Sequence, residues 1–441
     1  MPAEIVSNRD AATFVTHLEC SETGEHHAAD RLHGLSRAGK PLLVRYDLDA
    51  VRRAVSRDDL AGRRPDMWRY RELLPLMRAD DIVSLGEAMT PLIALPRMRK
   101  RLGGGEITVK DEGRLPTGSF KARGMAVAVT MAKAFGVKRL AVPTAGNAGA
   151  AAAAYGSRAG METYVFTPED TAEVTAREIA YHGARVYRVN GLVNHCARIV
   201  REGTQAMGWH DLSTLEEPYR LEGKKTMGLE LAEQLGWDVP DVIFYPTGGG
   251  TGFIGMWKAF QELEAIGWIG ARRPRMVAVQ ATGCGPIVKA FDEGADHVAE
   301  PWPNVDTDLH GVRVPGPIGD RLILKVIAES DGLATAVDDG AADEARREVA
   351  DREGLHLCPE GAATFAAYKK ELAAGRIGRD DNVVLFNTAS GLKYPMPPMD
   401  RTLDRTKPID YAPPCDGADI GAGRPQGLSV RVAFPGSPAR R

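Results

Sequence analysis

From about residue 84 the chain alternates short β-rich apolar runs with helix-length amphipathic segments, and this rhythm constrains the fold more than any other feature. Strand-like runs fall at 106–110, 139–143 (RLAVP), 161–166 (METYVF), 184–189 (ARVYRV), 241–245 (DVIFY), 275–280, 333–337 and 382–386. Helical segments are expected after Lys121, from Ala148 to Ala159, near 172–182, 192–207 and 223–236, and after Gly252. Runs this short, separated by helices, are the pattern of parallel sheets covered on both faces. Such sheets hold ligands at the carboxyl ends of their strands, so the residues just past each run are the first place to look for chemistry.

The flanks read differently. Residues 1–80 are rich in Arg, Asp and His, carry helical pieces such as LDAVRRAV and RYRELLPLM, and form an N-terminal extension to a core spanning 81–395. Residues 396–441 are a tail rich in Pro, Gly and Arg that is extended or ordered only by contact. The formal charge of −3 leaves no basic field for nucleic acid, and no apolar run reaches the roughly eighteen residues of a membrane span. The five cysteines, Cys20, Cys196, Cys284, Cys358 and Cys415, form no CxxC pair in a chain too large to need disulfides, which points to a reducing, cytoplasmic setting. A small molecule is the expected partner.

Four segments carry candidate chemistry. Lys121, in VKDEGRLPTGSFKARGM, follows a bulky Phe120 and opens an alanine-rich helix, so its amine can lie in a cleft, where desolvation and neighbouring cations make lysine a Schiff-base nucleophile. Asn147, in PTAGNAGAAAAAYG, stands at a strand-to-helix junction whose free N–H groups suit an anion; capping of that helix is the competing reading. The loop Gly248, Gly249, Gly250, Thr251 and Gly252 in YPTGGGTGFIG offers unhindered amides at a helix start, a phosphate cradle without the GK[ST] of a Walker loop. Thr388, in VVLFNTASGLKYP, presents a hydroxyl just past a strand, where it can bond a ring nitrogen or close a turn.

These segments, with SLGEAMTPL before them and PYRLEGKKT among them, resemble in order the motifs of the fold-type II pyridoxal phosphate (PLP) enzymes. The similarity covers roughly residues 80–395 and is nearest to the threonine synthases. It implies two lobes with parallel-rich sheets covered by helices, the smaller lobe, about 125–210, nested in the larger. It also implies PLP carried on Lys121, with Asn147, the 248–252 loop and Thr388 holding the cofactor, and a homodimer. Thr144, Ala145, Gly146 and Ala148 would receive the substrate carboxylate, and Arg220 a substrate phosphate. Cys20, within THLECSETGEHH, resembles the start of a zinc-ribbon-like N-terminus but lacks three of four cysteines, so no metal is expected at Cys20, His26, His27 or His33.

The resemblance implies γ-elimination of phosphate from O-phosphohomoserine followed by addition of water at Cβ to give threonine. Three positions depart from that pattern. An Asn-Ser pair before the arginine reads Thr214 and Leu215, an asparagine in the glycine loop is Gly249, and an aspartate after the lysine is Ala122. These departures keep open a second reading: PLP-dependent β-elimination or β-replacement on serine, threonine or an activated relative.

Overall fold

The structure is a computed structural model that describes residues 13–396 and 406. The described residues up to 395 form one compact unit, and all but two residues of the expected tail 396–441, with Cys415, lie outside the described residues. The chain begins with strands β1 (Val15–Cys20), β2 (His26–His27) and β3 (Leu42–Tyr46) in an antiparallel sheet ordered β2-β1-β3. This sheet adds strands to an extension in which only helical pieces were located from the sequence. Of the two helical pieces expected there, LDAVRRAV does form α1 (Leu48–Ala54), whereas RYRELLPLM takes a 3₁₀ path over Met67–Leu73.

The larger sheet has the order β12-β11-β10-β13-β5-β4. Chain order brings in β4 (Leu92–Ala94), α2 (Pro96–Leu102) and β5 (Ile107–Asp111), then crosses into the smaller lobe. That lobe contains α3 (Lys121–Ala134), β6 (Arg139–Pro143), α4 (Asn147–Ala159), β7 (Glu162–Pro168), α5 (Glu173–Tyr181), β8 (Arg185–Val189), α6 (Val193–Met207) and β9 (His210–Asp211). Its parallel sheet is ordered β8-β7-β6-β9. The chain returns through α7 (Tyr219–Gln234), β10 (Val242–Pro246), α8 (Thr251–Ala265), β11 (Arg275–Ala281) and α9 (Pro286–Asp292). It closes with α10 (Asp320–Glu329), β12 (Leu333–Val337), α11 (Asp339–Glu353), α12 (Pro359–Ala373) and β13 (Val383–Asn387). Every residue of β10 and β13 is buried, as two-face coverage demands, and only the edge strand β4 runs antiparallel. None of the helices among the described residues is long and apolar enough to cross a membrane.

Strand pairing decides where the functional segments meet. β10 and β13 are neighbours in parallel register, Val242 opposite Val383 and Phe244 opposite Leu385, so the glycine loop after β10 and Thr388 after β13 emerge side by side. β5 lies on the other side of β13, Asp111 opposite Asn387, and delivers the turn leading to Lys121.

Helices α3 and α7 then cross in backbone contact. A Cβ on Gly223 would sit 2.1 Å from the Arg123 carbonyl oxygen, and one on Gly124 3.0 Å from that of Arg220, so glycine at both crossings lets the helices close. The contact is locked by buried charge. Arg123, wholly enclosed, donates through Nε to Glu112 Oε2 at 2.7 Å and is ion-paired through Nη1 with Glu230 Oε2 at 2.8 Å, while Lys110 also pairs with Glu230. The extension is fastened to the same helix by Tyr46, whose hydroxyl donates to Glu222 at 2.7 Å.

Candidate active site

Lys121 opens α3 where the chain leaves the larger sheet. The preceding turn is held open by Thr117 in the left-handed region (φ 59°) and tied to the end of β13: the Phe120 N–H donates to the Thr388 carbonyl at 2.9 Å and the Ser390 N–H to that of Gly118 at 2.8 Å. Lys121 is partly exposed toward the cleft, while its amine is enclosed. Burial, then the Arg220 guanidinium, bring that amine down to about 7, against an upward pull from Glu360. At neutral pH a large share of Lys121 is therefore free base, the form that attacks a carbonyl.

Arg220 sits in the first turn of α7, buried, its Nη1 donating to the Leu212 carbonyl at 2.5 Å. Sequence reading starts this helix near 223; the structure starts it at Tyr219, and this makes Arg220 part of a rigid element whose charge reaches Lys121. Lys224, one turn on, is also buried, with its amine 3.9 Å over the Phe120 ring and bonded to the Phe120 carbonyl; that of Lys121 lies 4.4 Å from the same ring. Burial, Lys121 and Arg220 push Lys224 well below the ordinary lysine range. The neighbouring Lys225 turns away into a buried cluster with Glu222, Lys258 and Glu262.

On the facing lobe, Asn147 begins α4 and donates through Nδ2 to the Tyr394 hydroxyl at 3.1 Å. Ala145, Gly146 and Ala148 are partly exposed beside it. The Thr144 hydroxyl is directed elsewhere: it accepts from the Gly146 N–H at 2.9 Å and the Gly149 N–H at 3.2 Å, shaping the loop from beneath.

The glycine loop is built to take an anion. Gly248 and Gly250 are buried, Gly249 is half-buried, and none of the three N–H groups finds an acceptor among the described residues. Those donors lie at the start of the 15-residue α8. Gly250 adopts φ 79°, and a Cβ there would meet Ile323 Cδ1 at 2.5 Å. Buried unpaired amides at a helix N-terminus fit a phosphate group. Thr388 is buried, its hydroxyl 3.7 Å from Cys358 Sγ at the start of α12.

The departures from the motif pattern have local causes. Thr214 packs on the glycine loop: a Cβ on Gly249 would come within 2.7 Å of Thr214 Cγ2, so these two replacements belong together. Leu215 is a buried member of the hydrophobic core, and Ala122 is buried among Met125, Ala126 and Ala151, where a carboxylate would be stranded.

Two residues of the site escape the sequence reading. Glu360, the second residue of α12, is buried and accepts the Gly311 N–H through Oε1 at 2.7 Å, and its charge reaches both Lys121 and Tyr394. Tyr394 completes the contact to Asn147. The signal was present in CPEGAAT, but a Glu after Pro at a helix start also reads as a favourable N-terminal charge. The histidines weighed for a metal lie apart: His26 stacks on His17 beside Glu19 on the outer face of the N-terminal sheet, with ligand atoms within 4.8 Å of one another, and Glu19 is paired to Arg45 at 2.6 Å. His27 and His33 make a separate edge contact, and Cys20 faces inward against Ser36.

Residues 83–389 match the family described as pyridoxal-phosphate dependent enzyme. The chain belongs to that family. It is 36% identical to a threonine synthase from Methanocaldococcus jannaschii over 85% of this chain and 92% of that protein. A threonine synthase from Methanosarcina acetivorans is 35% identical over 87% and 94% respectively. Among solved structures, the processed form of threonine deaminase isoform 2 from Solanum lycopersicum superposes with a TM-score of 0.59 at 20% identity, covering 70% of this chain and 85% of that one, a likeness of fold. The protein is thus a PLP-dependent lyase of the threonine synthase-like kind with the fold-type II architecture.

The residues present suit PLP: an enclosed amine near neutrality, a cradle of unpaired amides for its phosphate, a hydroxyl past β13 and an amide side chain across the cleft. Lys121 would carry it, with Gly248–Gly252, Thr388 and Asn147 around it.

Proposed function

We propose that the protein acts on O-phosphohomoserine, eliminating phosphate and adding water at Cβ to give threonine. One observation carries this reading beyond the family: a buried guanidinium, Arg220, is held on a rigid helix close enough for its charge to lower the Lys121 amine, and its fork can receive a second phosphate apart from the glycine loop. The similarity to two archaeal threonine synthases over nearly their whole length supports it.

PLP, when bound, supplies the electron sink for negative charge developing on the substrate carbons. The chain's own groups do the rest. Lys121, free base in large part at neutral pH, takes and returns protons at Nζ. The loop at the start of α4, with Ala145, Gly146 and Ala148, receives the substrate carboxylate, Asn147 would contact the cofactor, and Arg220 orients the leaving phosphate. The Thr388 hydroxyl is neutral and does not force a proton onto a ring nitrogen, a setting suited to elimination and addition rather than transamination.

A second reading, elimination or replacement on serine, threonine or an activated relative, is favoured by one feature. The coupled Thr214 and Gly249 remove amide side chains from the rim of the phosphate pocket. Incubation with O-phosphohomoserine, O-phosphothreonine, O-phosphoserine, threonine and serine, scoring phosphate, keto acid and new amino acid, separates the two. Threonine and phosphate from O-phosphohomoserine are expected; keto acid from free threonine with no turnover of O-phosphohomoserine would reject the proposal. We also infer a cytoplasmic homodimer, which light scattering of the purified chain checks.

A further inference from the structure

On the outer face of the N-terminal sheet three side chains of the metal-ligating kinds converge. His17 and Glu19 stand two residues apart on β1 and so share a face, while Leu18 and Cys20 turn inward to the core. His26, on β2, lies directly opposite Glu19 in the antiparallel pairing, which brings it onto the same face. His17 Nε2 is 3.8 Å and His26 Nε2 4.0 Å from Glu19 Oε2, and one ligand atom from each residue lies within 4.8 Å of the other two. The two imidazole rings stack with centroids 3.8 Å apart.

Two of the three side chains have their other polar atom already fixed. Thr16, where β1 shifts register against β3, donates its one hydroxyl hydrogen to the Arg45 carbonyl at 3.2 Å, so toward His17 Nδ1, 2.9 Å away, it can only accept. In the neutral ring Nδ1 therefore carries the hydrogen. Nε2, buried and without a hydrogen-bond partner among the described residues, presents a bare lone pair. Glu19 gives Oε1 to Arg45 at 2.6 Å, a charge-assisted contact that leaves Oε2 for the two rings. His26 is the exposed member, its side chain 65% accessible and able to rotate.

We propose that His17, Glu19 and His26 form a binding site for a divalent transition-metal ion, zinc by the character of the ligands, that staples β2 to β1. Two imidazole nitrogens and a carboxylate oxygen are donors zinc takes, and three protein ligands leave a fourth position for water. Tetrahedral ligands about 2.0–2.1 Å from the ion lie roughly 3.3 Å apart, so closing the site takes a movement of about 1 Å, made by turning the exposed His26 ring out of its stack. Thr16 and Arg45 supply the outer contacts that orient a metal ligand and set its tautomer. Sequence reading expects no metal at His26 because the cysteines of a ribbon are missing, but the strand pairing supplies partners of another kind. Cys20 takes no part, since its thiol donates to Ser36 Oγ at 3.1 Å on the inward face.

The test uses the untagged full-length holoenzyme, cleared of metal with a chelator and titrated with zinc sulfate in a calorimeter. The native protein should take up one ion per chain. Glu19→Gln keeps the side chain's size and an acceptor for Arg45 but removes the charged ligand, and His26→Asn removes an exposed ring without touching the core. Each should weaken zinc binding at least about tenfold, because loss of an outer-shell partner alone costs 10–100-fold. Zinc should also slow the carbethoxylation of His26 by diethyl pyrocarbonate, read by peptide mass spectrometry, and this protection should vanish in Glu19→Gln. No uptake by the native protein, native affinity in either folded variant, or His26 labelling unmoved by zinc would overturn the proposal.

Discussion

Restoring the family's asparagine at position 249 should fail alone and succeed in company. The structure puts the new Cβ of Gly249→Asn 2.7 Å from Thr214 Cγ2, well inside ordinary carbon contact, with Gly249 on a loop whose neighbours are buried. Thr214 is β-branched and stiff about χ1, so the strain goes into loop and side chain together. Overpacking of this kind costs about 1–3 kcal/mol, or about 1 °C of melting temperature per kcal/mol in a chain of this size. Thr214→Ser removes only the offending methyl. The double variant Gly249→Asn, Thr214→Ser should therefore recover most of the loss, giving a coupling free energy of about 1 kcal/mol or more in a double-mutant cycle. Thermal and urea denaturation of the four proteins measures it, and phosphate release from O-phosphohomoserine follows the functional side. A single Gly249→Asn variant as stable as the native protein, with no coupling to position 214, would refute the contact argument and with it the claim that the two departures arose from one packing constraint.

Other outcomes follow from the same geometry. Arg123→Met leaves Glu112 and Glu230 buried with one cation between them and should cost about 3–5 kcal/mol, read as a lower urea midpoint. Because Lys121 reacts as free base and is brought down to about 7, the rate of PLP capture by the cofactor-free protein should climb about tenfold per unit as pH rises toward 7 and level off above it. A climb that continues past pH 9 would contradict the lowered amine. Arg220→Ala should raise KM for O-phosphohomoserine roughly a hundredfold, as loss of a charge-assisted bidentate contact of about 3 kcal/mol requires, while substrates without phosphate change far less.

What could be read from the chain was mostly what strand and helix patterning carries. The eight runs from 106 to 386 became parallel strands, the central ones buried on both faces; the segments just past them at Lys121, Gly248–Gly252 and Thr388 meet because β5, β13 and β10 lie side by side, while Asn147, past β6 of the smaller sheet, comes from the facing lobe. What patterning hides is contact between distant residues. Thr214 and Gly249 look like two independent departures until the structure shows them touching, and Glu360 looks like an ordinary first-turn acid until the Gly311 loop is seen closing over it. Thr144 shows the converse: its hydroxyl seems available in PTAGN, yet it is occupied by the loop's own amides. The N-terminal sheet is hard to read because β1 sets Thr16, His17 and Glu19 between its apolar residues, which leaves a short buried stripe of Leu18, Cys20, Leu42 and Val44.

The most direct test of the account is to find which lysine holds the cofactor. Borohydride reduction of the purified protein, followed by peptide mass spectrometry, should place the pyridoxyl adduct on Lys121, and Lys121→Ala should lose both the visible absorbance of the bound cofactor and turnover. An adduct on Lys224 or any other lysine, or an active Lys121→Ala enzyme, would contradict it.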